Sequence, residues 1–154
     1  MSVSPPRFTL IYDGVCRLCA GVVVFIVKRD PGGAQFRFCA LQSRAAEPLL
    51  ARAGVSREDA LTSFVLLDGD RVLRRSDAAL AIAAALPGWS VLAVAGSCVP
   101  RVVRDAVYGC VARNRYAVFG GGDTCLAPTR AVLARFLDAD EVREAATASR
   151  AKGE

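Results

Sequence analysis

Histidine is absent from the 154 residues. That excludes any Cys–His catalytic pair and any zinc site with a histidine ligand. Long apolar runs are absent too. The longest, residues 20–27 and 91–99, fall well short of the ~20 residues that a membrane-spanning helix needs. No apolar signal region follows the short polar start at residues 1–6, so nothing argues for secretion. Aromatic residues make up only 7% of the chain. The 20 Lys and Arg outnumber the 15 Asp and Glu, for a net charge of +5, but they are scattered. Without a basic stripe or interleaved aromatics, nucleic acid is not the expected partner. No internal repeat is visible. These absences leave a cytoplasmic protein with no transmembrane segment as the expectation.

What is present suits one folded unit. The chain is 53% hydrophobic, and its length fits one domain. Six cysteines in a reducing compartment read as free, catalytic or metal-bound rather than as a disulfide framework.

The chemistry gathers in Tyr12-Asp13-Gly14-Val15-Cys16-Arg17-Leu18-Cys19. An apolar run enters it over residues 8–12, and another leaves it over residues 20–27. Asp13-Gly14 is a turn dipeptide. The pattern predicts strand, turn and helix, with Cys16 at the helix start. Unsatisfied N–H groups and the positive end of the helix dipole favour thiolate over thiol there. Cys19, one turn on, can close a disulfide ring with Cys16, which suits reversible exchange. The expected roles are Cys16 as attacker, nearer solvent, and Cys19 as the more buried resolver.

Other readings stay open. Cys16 and Cys19 could be half of a metal site, although a second Cys-x-x-Cys is missing. Asp13 suits a turn, or a carboxylate that shuttles protons for the thiols. Arg17 is a solvated charge or a cation favouring thiolate. Cys98 and Cys110 lie on apolar faces and read as buried, inert thiols.

Along the chain, strands are expected over 8–12, 36–40, 63–67 and 71–74, with a turn at Asp68-Gly69-Asp70. Helices are expected over 16–29, 43–53 and 77–86, the last capped by Ser76. Pro48 belongs near a break or in the first turn of a shorter helix. The order β-α-β-α-β-β-α is that of a minimal thioredoxin-like α/β domain. Two further helices, 89–98 and 101–113, flank Pro100. In the second, Val103, Ala106, Val107 and Cys110 share a face. The helix over 16–29 has no polar side after Gly21, so this helical pair is expected to cover it. A last helix is expected over 128–137, and the tail 138–154 is expected to fray. The domain expectation is one unit over 7–137, with core 7–88 and helical extension 89–137.

Asp13, Cys16 and Cys19 in Tyr-Asp-Gly-x-Cys-x-x-Cys resemble the signature of the DCC family. So do Ser76-Asp77-Ala78, Arg104-Asp105-Ala106-Val107-Tyr108, Ala112-Arg113-Asn114-Arg115-Tyr116, Phe119-Gly120 and Cys125. The resemblance spans roughly residues 8–125. It implies a thioredoxin-like fold and thiol-disulfide oxidoreductase activity, with a Cys16–Cys19 redox-active disulfide and no further cofactor. A thiol or disulfide client, protein or small molecule, would be the partner. It favours a role for Asp13, and it makes Arg113, Asn114, Arg115, Tyr116 and Cys125 accessory candidates. Thioredoxins carry a cis-proline before the third strand; here the stretch reads Leu61-Thr62-Ser63-Phe64. Thr62 and Ser63 would then stand beside the sulfurs, with Tyr12 and Arg17 as further substrate-facing candidates. The competing expectation is a non-catalytic thioredoxin-like module that docks a partner through its basic helical surface.

Overall fold

Apolar residues dominate β-forming segments such as Phe8–Tyr12 and Val65–Asp68, and the pairing of four such segments builds one four-stranded sheet in the computed structural model. The structure describes residues 6–14, 16–30, 35–120 and 134–141, with residues 144, 147 and 151. Strands β1 (Phe8–Tyr12), β2 (Phe36–Ala40), β3 (Val65–Asp68) and β4 (Arg71–Arg74) lie in the order β2-β1-β3-β4. β1 runs parallel to β2 and antiparallel to β3, which is antiparallel to β4. Helix α1 (Arg17–Arg29) makes the crossover from β1 to β2. Helices α2 (Ala46–Ala53), α3 (Arg57–Thr62), α4 (Arg75–Ala85), α5 (Ser90–Ser97) and α6 (Arg101–Phe119) follow. This mixed α/β arrangement is consistent with a thioredoxin-like fold.

Strand side chains alternate between two faces, and each face has its own core. Leu10, Phe36, Phe38 and Leu66 meet Val23 and Ile26 of α1 and Ala78 and Ile82 of α4. Ile11, Cys39 and Val65 meet Ala46 and Leu50 of α2 and Ala60 of α3. Pro48 falls in the first turn of α2, where its missing N–H costs no helical bond. Gly54 ends α2 at φ 68°, a left-handed conformation that glycine adopts without a Cβ penalty. α3 was not foreseen; Ser56 caps it by accepting from the Asp59 N–H at 3.1 Å.

Four expectations are corrected. Ser76 does not cap α4: its hydroxyl and N–H both reach Asp105 of α6, so the neighbouring helix supplies the carboxylate. α5 packs chiefly on α4 and buries no residue. Cover over α1 comes instead from α6 and from Trp89, whose ring meets Phe25 edge-on at 4.8 Å. The expected packing face of α6 is turned outward: Val103 and Val107 are exposed, as are Cys110 and, at the C-cap of α5, Cys98. Finally, of the helix expected over 128–137, residues 128–133 lie outside the described residues and residues 134–137 form no helix. Phe136 makes a parallel bridge to Phe38, through Phe38 N–H to Arg135 O at 3.0 Å and Leu137 N–H to Phe38 O at 2.9 Å. Backbone donors on the β2 edge are satisfied this way.

The tail does not fray at its start. Asp138 is buried and accepts from the Ala40 N–H at 3.3 Å, and Arg135 pairs with the buried Asp30 at 2.7 Å. Among the described residues no helix is long and apolar enough to cross a membrane.

Candidate functional site

The site forms where β1 ends and α1 begins. Gly14 permits the close pass: a Cβ there would sit 3.0 Å from Gln42 Oε1 and 3.4 Å from the Ala40 Cβ. The Cys16 N–H returns to the Asp13 carbonyl at 3.2 Å. Cys16 has extended backbone and occupies the N-cap of α1, and its Sγ accepts the Cys19 N–H at 3.4 Å. Sulfur therefore does what a serine oxygen does at other helix starts. An anionic sulfur is the better acceptor of such a bond, so helix geometry and thiolate support each other.

Both sulfurs are inside. Cys16 is 0% exposed and Cys19 is 3% exposed. The expectation that Cys16 lies nearer solvent is thus overturned: both cysteines join the core cluster that includes Tyr12, Phe38 and Phe136. Burial pushes the Cys19 thiol well up, and the hydrogen bond and charge of Cys16 push it further; Arg115 opposes this. Burial thus favours the protonated form of Cys19. All five described cysteines are free thiols.

Asp13 is buried beside them and, among the described residues, collects three side-chain donors from distant parts of the chain. Gln42 Nε2 donates at 2.7 Å, Arg115 Nη2 at 3.3 Å, and the Tyr116 hydroxyl donates to the same Oδ2 as Arg115. Burial and the Asp13 contact push the Tyr116 hydroxyl up to about 12. Arg115 itself is buried; it also donates to the Leu61 carbonyl, while its Nε has no acceptor among the described residues. Burial opposes the Arg115 charge, yet Cys19, Tyr116, Cys16 and Asp13 together hold its pKa above the ordinary value. Below, the Tyr108 hydroxyl accepts the Phe64 N–H at 2.9 Å, at the end of the stretch Leu61-Thr62-Ser63-Phe64. Burial raises Tyr108, and Cys19 adds to it.

The structure therefore brings together Cys16, Cys19, Asp13, Arg115 and Tyr116. Other candidates lie apart. Tyr12 is buried in the core with its ring edge-on to Phe136 at 6.4 Å. Thr62 is exposed and its hydroxyl donates to the Asp59 carbonyl at 2.7 Å. Ser63 is buried, and its Oγ accepts from Arg74 at 3.3 Å. Arg113 and Asn114 face outward, with Asn114 Nδ2 on the Cys110 carbonyl at 2.8 Å. Arg17 is exposed at the rim, its N–H 3.4 Å from the Gly120 carbonyl. Cys125 lies outside the described residues.

Gln42 and the Leu61 carbonyl were not foreseen. Nothing in the loop after β2 marks Gln42; its contacts with Gly14 N–H at 2.8 Å and Asp13 Oδ1 at 2.7 Å show why a polar residue stands there. Tyr108 stood within a motif of the resemblance but carried no assigned role. Among the described residues, no three Cys, Asp or Glu side chains are gathered as a metal site would require.

A buried dithiol at a helix N-cap on this sheet defines the class of protein: thiol-disulfide oxidoreductase-like, thioredoxin-like in fold. The chain belongs to the family of DCC1-like thiol-disulfide oxidoreductases, whose profile matches residues 10–121. It is 41% identical over 132 residues to the uncharacterized protein YuxK of Bacillus subtilis, covering 86% of this chain and 95% of that one. It is 41% identical over 120 residues to a DCC family protein of Arabidopsis thaliana described as chloroplastic, covering 77% and 69%. No solved structure matches.

Proposed function

We propose that the protein exchanges disulfides with a thiol or disulfide client through Cys16 and Cys19. The observation that carries this reading is the N-cap geometry: one sulfur accepts a helix N–H while the other stands one turn on. In the reducing direction, Cys16 thiolate attacks a client disulfide. A Cys16–client S–S bond forms, the client bond breaks, and the departing client sulfur leaves as thiolate and takes up a proton. Cys19 then loses its proton and attacks Cys16. The client's second sulfur departs, and the two electrons of the dithiol have passed to the client. A thiol reductant restores the dithiol.

Attack by Cys16 no longer rests on exposure, since both sulfurs are buried. It rests on the N-cap position and on the high Cys19 pKa, which keeps the second thiol protonated until the mixed disulfide has formed. Burial implies that the packing over Cys16 must yield for a client to reach it. Asp13, already occupied by three donors, holds the surroundings of the thiols rather than moving their protons.

A reducing compartment suits exchange in this direction; the Arabidopsis relative is described as chloroplastic. The test is a titration of the wild-type protein against defined dithiothreitol and glutathione buffers, with mass spectrometry of the peptide holding Cys16 and Cys19. A two-electron transition confined to that pair supports the reading. A pair that stays reduced across the whole range leaves the module that docks a partner without catalysis.

A further inference from the structure

Arg115 is a cation in a place where a cation is expensive. Its charge is inside the protein, and one carboxylate is shared among it, Tyr116 and Gln42. One guanidinium donor, Nε, is buried with no acceptor among the described residues. A buried charge needs a counter-charge and full hydrogen bonding. Asp13 and the Leu61 carbonyl do not exhaust what Arg115 offers. Besides Asp13, the described groups around it that can carry negative charge are Cys19, Tyr116 and Cys16; Tyr116 spends its proton on Asp13 and is pushed up to about 12, which leaves the two thiols.

We infer that Arg115 is a positioning residue for the dithiol: fixed by Asp13 and the Leu61 carbonyl, it supplies the counter-charge that the Cys16–Cys19 pair needs when it ionises, and Asp13 sets how much of that charge is left over. This rests on the exchange reading above. Among the described residues, the charged and titratable groups near the pair are Asp13 from the β1–α1 turn, the exposed Arg17 on α1 itself, and Tyr108, Arg115 and Tyr116 from α6. Only Arg115 among them is both buried and cationic. α6 thus does more than cover α1: it brings a charge to the sulfurs.

The device predicts opposite signs for two neighbouring substitutions. Arg115→Met removes the counter-charge. The reduced, ionised pair loses support, so the thiols ionise at higher pH and the couple shifts toward the disulfide by about tenfold in equilibrium constant, the size of a change of one pKa unit. Asp13→Asn keeps the shape and frees the Arg115 charge. It shifts ionisation to lower pH and the couple toward the dithiol. Arg115→Lys keeps the charge without the fork and stays nearer wild type than Arg115→Met.

The experiment uses the full chain. Thiolate absorbance against pH is measured for each variant, minus the same trace for Cys16→Ser/Cys19→Ser, so that the other cysteines cancel; glutathione equilibration is read by mass spectrometry. Opposite shifts for Arg115→Met and Asp13→Asn support the proposal. Shifts of the same sign, no shift, or Arg115→Lys matching Arg115→Met would overturn it and reduce Arg115 to a structural strut. If Arg115→Met does not fold, Asp13→Asn against wild type decides by its sign. Should the wild-type pair show no ionisation step and no cycling, it is the exchange reading itself that has failed.

Discussion

Helices α1 and α6 both carry rows of valine, yet they turn opposite kinds of face to the protein. α1 buries Cys19, Ala20, Val23 and Ile26, as a helix against a sheet is expected to do. α6 buries only Arg115, while Val102 is 82% and Val107 61% exposed. Its inward row is polar: Arg104 and Asp105 meet Ser76 and Asp77 of α4, Tyr108 meets Phe64, and Arg115 and Tyr116 meet Asp13. Burying polar groups is costly unless each finds a partner. Here the start of α4, the backbone before β3 and the Asp13 carboxylate are the partners. Periodicity identifies the faces of a helix; what waits on the other side decides which face goes in.

The contrast can be broken most sharply at Ile26, which is fully buried on α1. Ile26→Ala should cost about 2–5 kcal/mol in urea unfolding; a cost below about 1 kcal/mol would mean that the α1 face is not core. Next comes pH. Burial raises the Cys39 thiol to about 11 from an ordinary 9.0. A raised pKa means that the folded state holds the proton more tightly. The stability from this group is therefore fully present below about pH 9 and is lost as pH rises through about 11. The loss is on the order of 2 kcal/mol, and Cys39→Ala should flatten the alkaline limb of the stability curve. An unchanged limb would point to Cys19 and Tyr116, which shift in the same direction. On the α6 side, Tyr108→Phe leaves the Phe64 N–H without its acceptor. It should cost about 1–2 kcal/mol, and a neutral result would mean that water replaces the hydroxyl. Smallest of all, Val102→Lys on the outward face should change stability by no more than about 0.5 kcal/mol. A large loss there would show the face to be covered.

The sheet and α1 were legible because their signals are local. Alternation in residues 36–40, the Asp-Gly turn before Cys16 and the Pro-Gly stop after residue 86 each act over a few residues. β4 is found where it was expected, at Arg71–Arg74. Arg115 and Tyr116 were within reach only through a resemblance, since no local pattern tells that a charge 102 positions away will meet Asp13. The orientation of α6 was misread because valine spacing was taken as the inward signal. Phe136 was misread because its run looks helical, while the partner that straightens it, Phe38, is distant in sequence. The burial of Cys16 escaped for the same reason: the core cluster that it joins includes Phe136, from the last third of the chain.

Division of labour between the two sulfurs is the central claim, and one measurement reaches it directly. Full-length Cys19→Ala and Cys16→Ala are each incubated with glutathione disulfide and mapped by mass spectrometry. Cys19→Ala should accumulate one glutathionyl group on Cys16, because attack is intact and resolution is missing. Cys16→Ala should leave Cys19 unmodified over the same time. Modification of Cys19 alone, or of neither sulfur while exposed Cys98 and Cys110 react, would contradict the account.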